Sequence, residues 1–68
     1  MVVANTSGLG VFLRASPDGP VIGALPDGTP VILLPARVQG AGHIWAKVVE
    51  PHGNTGWVAD EYLSAIAP

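Results

Sequence analysis

Val21-Ile22-Gly23-Ala24-Leu25-Pro26-Asp27-Gly28-Thr29-Pro30-Val31 decides the fold class. Its first five residues are apolar or small, and two of them, Val21 and Ile22, are β-branched chains suited to a pleated surface. Pro26-Asp27-Gly28-Thr29 then breaks the run. Pro26 presets φ, and Gly28 is free to take φ > 0, so the four form a tight turn. Pro30 opens the next run, residues 31–34. A strand, a turn and a second strand fit here; a helix does not.

The rest of the chain repeats this rhythm. Nine Gly and seven Pro punctuate 68 residues. The apolar runs between them are about four to seven residues long, too short for helices of about ten or more. The spacing predicts strands at residues 1–5, 11–14, 21–25, 31–34, 44–50 and 56–59, and a last one at 64–67. Residues 6–8 form a turn. Ser16-Pro17-Asp18-Gly19 reads as a type I β-turn, with Pro second and Gly fourth. Residues 35–42 read as a loop, with Gly40-Ala41-Gly42 a flexible connection. His52-Gly53-Asn54-Thr55 closes a hairpin. Residues 60–63 read as one helical turn capped by Asp60.

A domain of this length buries only roughly 60% of the surface of its unfolded chain. Its core is a single layer of about a dozen apolar side chains, with no volume to spare for an enclosed substrate cavity. There is no Cys, so packing replaces disulfides and no thiolate site exists. A structural zinc site needs four ligands, and His43 and His52 are the only imidazoles. No cofactor or metal is expected. Five or six short strands with tight turns imply an all-β barrel or sandwich, and closure would remove exposed edges from a chain that is 49% hydrophobic and 12% charged.

Charge excludes two partner classes. The net charge is −2, and Arg14, Arg37 and Lys47 are scattered. Nucleic-acid binding needs a clustered basic footprint, and membrane attachment a polybasic patch or a span of about 20 apolar residues. Neither is present. No signal peptide is readable at the start of the chain. Residues 1–68 are expected to form one domain that rides beside others in a longer protein.

Catalysis finds no footing. Asp60 and Glu61 are adjacent, and neighbours one apart on a helical turn do not face each other. Ser7, Ser16 and Ser64 have no evident His–Asp set. Gly8 with Gly10, and Gly40 with Gly42, lack the helix that a phosphate cradle needs. The chain is expected not to be an enzyme.

Four segments in order carry a family resemblance: Val11-Phe12-Leu13-Arg14-Ala15-Ser16-Pro17, Val21 to Val31, Trp45-Ala46-Lys47-Val48, and Gly56-Trp57-Val58-Ala59-Asp60-Glu61-Tyr62-Leu63. The chain resembles bacterial SH3-like (SH3b) domains. Their pattern is Leu-Asn-Val-Arg-x-x-Pro, Val-Ile-Gly-x-Leu-x-x-Gly-x-x-Val, Trp-x-x-Val and Gly-Trp-Val-x-x-x-Tyr-Leu. Phe12 stands where the family often has Asn, and Pro30 where a polar residue is usual. The resemblance implies a small SH3-like barrel of five to six short antiparallel strands, with one short 3-10 turn near the C-terminus. It also implies a cell-wall or peptide-binding accessory role, with peptidoglycan or a peptide as partner, in the envelope if the parent protein is exported.

Alternation along strands nominates the contact residues. Trp45 and Val48 are three apart and point to opposite faces, and Trp57 and Val58 likewise. If the valines are core, both indoles lie at least partly on the surface. Phe12 points away from Val11 and Leu13. It then serves as a ligand platform, a contact with a neighbouring domain or subunit, or local cover over the long loop. Tyr62 packs its ring and leaves its hydroxyl near the groove that the resemblance implies. Arg14 satisfies backbone carbonyls or a carboxylate such as Asp60 or Glu61, or meets ligand. The candidate groove is Phe12, Arg14, Trp45, Trp57 and Tyr62. The rival reading is a structural spacer or docking unit that self-associates through Phe12 and an uncovered strand.

Overall fold

The computed structural model describes residues 1–40 and 42–65. They are all β, with one 3-10 turn. The strands are β1 (Val2–Val3), β2 (Val11–Arg14), β3 (Val21–Leu25), β4 (Ile32–Gly40), β5 (His43–Val49), β6 (Thr55–Ala59) and β7 (Leu63–Ser64), and the 3-10 turn is Asp60–Tyr62. Five strands form one antiparallel sheet in the order β3-β2-β6-β5-β4, and β1 pairs with β7 in a second.

The expected closed barrel is not what the pairing gives. Among the described residues, β3 and β4 are the two free edges of the larger sheet and do not pair with each other. β1 stands across part of the gap. It pairs with β7, and it bridges to the chain ahead of β4 through Val2 and Pro30, with Val3 N–H donating to Thr29 O at 3.0 Å and Val31 N–H to Met1 O at 2.9 Å.

Residues 35–40 are a second correction. They extend β4 and are not a loop. Leu33 pairs with Val48 and Arg37 with Ala46, so four steps on β4 answer two on β5. Pro35 falls inside that irregularity. A proline has no N–H for a ladder, so it sits in a bulge on an edge strand. The apolar run broken by Pro35 looks like a strand end in sequence, and the partner strand carries it through.

Smaller corrections have local causes. Asp60 does not cap the 3-10 turn; Ala59 holds the cap position and no side chain bonds there. Gly19 N–H donates to Ser16 O at 2.8 Å, as a β-turn requires, but Asp18 has φ 56°. Positive φ at the third position belongs to type II geometry, which Asp tolerates. The first strand is shorter than 1–5, because Asn5 turns left-handed at φ 63°. Of the expected last strand, residue 64 closes β7, residue 65 follows it, and 66–67 lie outside the described residues.

The core is Val3, Leu13, Leu25, Val31, Ala46, Val48, Val58 and Leu63, with Met1, Val11 and Leu33 packed against it. Val48 and Val58 have no exposed surface. Their strands alternate, so Trp45, Lys47, Trp57 and Ala59 face outward. The register confirms it, pairing Trp45 with Ala59 and Lys47 with Trp57, because residues directly opposite share a face.

Gly56 has a tertiary reason to be glycine. A Cβ there would stand 2.6 Å from Leu13 Cγ and 2.9 Å from Arg14 O. The absence of a side chain lets β6 lie close against β2, where Arg14 pairs with Trp57.

Candidate functional site

The outward face carries a groove of about 310 Å³. Its floor comes from strands: Phe12 and Arg14 alternate outward on β2, Trp45 on β5 and Ala59 on β6. Tyr62, from the 3-10 turn, and His43, at the start of β5, supply the far wall. Thr6, Leu9 and Gly10 supply the near one.

The near wall is a strained loop with a specific lock. Asn5, Ser7, Gly8 and Gly10 all have positive φ, a conformation uncommon for residues other than Gly and costly for Ser. The Asp27 carboxylate holds it. Thr6 Oγ1 donates to Asp27 Oδ1, and Gly8 N–H donates to Oδ2 at 3.1 Å. Thr6 Oγ1 in turn accepts from Gly10 N–H at 2.8 Å. Gly10 could not be another residue, since a Cβ would meet Leu25 O at 2.7 Å. The turn that decides the fold class therefore also pins the groove wall. Two residues 21 apart gave no sequence signal of this.

Trp45 departs from expectation. It faces outward, yet it is only 6% exposed and lies outside the core cluster. Arg14 covers one side, with its guanidinium carbon 5.9 Å from the ring. His43 packs edge-on at 5.6 Å. The indole N–H donates to Gly40 O at 3.1 Å. Trp45 is thus the buried floor of the groove. Strand alternation gives a direction, and cover from β2 and from the hairpin end decides accessibility.

Phe12 is 56% exposed. Its ring lies 6.0 Å from the Arg14 guanidinium carbon. Arg14 donates from Nη1 to Gly19 O at 2.8 Å, the backbone role expected of it. Neither expected carboxylate partner reaches it: Asp60 pairs with Arg37 at 3.9 Å and Glu61 with His43. Tyr62 is half-buried in the groove wall, and its carbonyl accepts from Ala4 N–H at 2.8 Å.

Trp57 is not brought into the groove. It is half-buried on the same face and does not line the cavity, and Lys47 places its ammonium 5.9 Å from the ring. His43 does line it. His52 is well exposed and bonds Glu50 at 3.0 Å.

Glu50 went unremarked in the sequence. It is 7% exposed and organises the β5–β6 hairpin, accepting from Asn54 N–H at 2.8 Å and from His52. The Asn54 N–H above all, opposed by burial and assisted by His52, holds its carboxyl below the usual glutamate range. Among the described residues no cluster of three His, Asp or Glu is placed to hold a metal ion.

The described residues form a small antiparallel β module with a shallow aromatic groove and a single arginine in it. The family model of the bacterial SH3 domain matches residues 7–64. The chain belongs to the bacterial SH3 domain family. No curated protein and no solved structure matches the chain.

Proposed function

We propose that this domain is a non-catalytic binding module that receives a peptide segment, of peptidoglycan or of a partner protein, in the groove between Phe12, Arg14, Trp45 and Tyr62. One observation carries the reading. Aromatic and apolar side chains outside the core cluster converge on a concavity of about 310 Å³, in a chain too short to hold an enclosed site. Membership of the bacterial SH3 family supports the same reading, since such domains commonly serve as cell-wall or peptide-binding accessories. The module acts as one domain, residues 1–68, within a larger protein. Affinity comes from apolar burial and main-chain hydrogen bonds more than from charge.

Titration with soluble muropeptides, followed by the two indole NMR signals, tests this. The Trp45 signal shifts and the Trp57 signal moves less. Silence of both at millimolar ligand overturns the groove.

A second reading has its own observation. Edge strand β3 leaves Val21 and Ile22 about half exposed, and nothing among the described residues pairs its outer side. An apolar, uncharged edge invites strand addition, so self-assembly through β3 is the rival. Sedimentation at micromolar concentration separates the two: a stable dimer favours assembly, a monomer the binding module.

A further inference from the structure

We propose that the groove selects a carboxylate-bearing peptide, with the carboxylate on Arg14. This rests on the groove being the binding site and names its ligand chemistry.

The chain has five acidic residues and three basic ones, so a free arginine beside a cavity needs an explanation. Four of the acids are engaged elsewhere. Asp60 pairs with Arg37, Glu61 with His43 and Glu50 with His52, and Asp27 holds the loop at Thr6 and Gly8. The fifth, Asp18, lies in the turn beside Gly19 and makes no ion pair with Arg14. Among the described residues Arg14 has a single hydrogen bond, from Nη1 to Gly19 O. A guanidinium carries five N–H donors in a planar fork matched to a carboxylate.

Its surroundings strengthen such a contact. Phe12 and Trp45 lie 6.0 and 5.9 Å away on the groove floor. Aromatic neighbours lower the local dielectric and hold the guanidinium without neutralising it. Among the described residues no carboxylate lines the cavity, and the nearest, Glu61, is paired with His43.

The ligand's remaining chemistry follows from the neighbouring depression. It measures about 320 Å³, shares Leu9, Gly10, Val11 and Phe12 with the groove, and adds Ala24 on β3. These side chains are apolar. A carboxylate on Arg14 therefore places small or apolar residues of the same peptide against Phe12 and Ala24.

The test uses the intact 68-residue chain and three peptides: acetyl-Ala-Ala-Ala as free acid, its C-terminal amide, and acetyl-Ala-Glu-Ala amide. Titrations follow the Arg14 side-chain N–H and Trp45 indole signals. The free acid binds about tenfold tighter than the plain amide, a difference of about 1.4 kcal/mol, and the preference weakens with salt. The R14Q variant binds acid and amide alike. Tight binding of the Glu peptide shows that a side-chain carboxylate serves as well; binding of the acid alone restricts the site to a chain terminus. Equal affinity for acid and plain amide in the wild-type chain overturns carboxylate selection and leaves the groove reading standing. No shift with any of the three overturns both.

Discussion

Gly56→Ala is the sharpest probe of how this fold is held. Elsewhere in a strand the change would stabilise, because glycine loses more conformational freedom on folding. Here the new Cβ would stand 2.6 Å from Leu13 Cγ and 2.7 Å from Leu13 Cδ1, against about 3.5–4.0 Å for carbon contacts. Leu13 is 2% exposed and sits in the core cluster, so its branch point cannot swing into solvent. Arg14 O at 2.9 Å blocks the other side. Overpacking of this kind costs about 1–3 kcal/mol. A domain of this size has about 3–10 kcal/mol in total, at about 0.05–0.15 per residue. A loss near 2 kcal/mol lowers the melting temperature by about 8–16 °C. Thermal and urea unfolding monitored by circular dichroism read this directly. Leu13→Ala removes two of the three crowding atoms, so in the Gly56→Ala background it should cost about 1 kcal/mol less than in wild type. A Gly56→Ala melting temperature within about 2 °C of wild type, together with strict additivity, refutes the close approach of β6 and β2.

Three other expectations concern single contacts. The folded-state pKa of Glu50 is lowered, so its contribution is complete above the unfolded value and fades as pH falls through the folded one. The stability difference between wild type and Glu50→Gln should therefore be full at neutral pH and shrink below about pH 4.3; urea midpoints that differ equally at pH 7 and pH 3 contradict it. Asp27→Ala releases the loop at Thr6 and Gly8, so amide exchange at Gly8 and Gly10 accelerates while global stability falls by about 1 kcal/mol; unchanged exchange at both glycines refutes the lock. Acrylamide should quench the Trp57 indole in Trp45→Phe more strongly than the Trp45 indole in Trp57→Phe, because Trp45 is the buried one; the reverse order contradicts the groove floor.

Part of the lining of the candidate groove was legible before any coordinates. Phe12 follows from alternation on a strand whose other face holds Leu13. Tyr62 follows only from the family resemblance, which places its hydroxyl near a groove. The indoles were correctly sent to the outward face, but alternation says nothing about what lies over that face, so it missed that Trp45 is covered and that Trp57 lies beside the groove. The wall at Thr6–Gly10 was read only as a turn, because the carboxylate that shapes it arrives from 21 residues away.

Local chemistry sufficed for the class of fold. Turn-forming Pro and Gly at short intervals, with β-favouring residues between them, forbid helices and specify strands wherever the chain is used. Closure, burial and the continuity of β4 past Pro35 depended on partners distant in sequence. Whether a strand edge is covered, or an outward ring sealed, is set by which other strand arrives beside it, and no window of neighbouring residues contains that information.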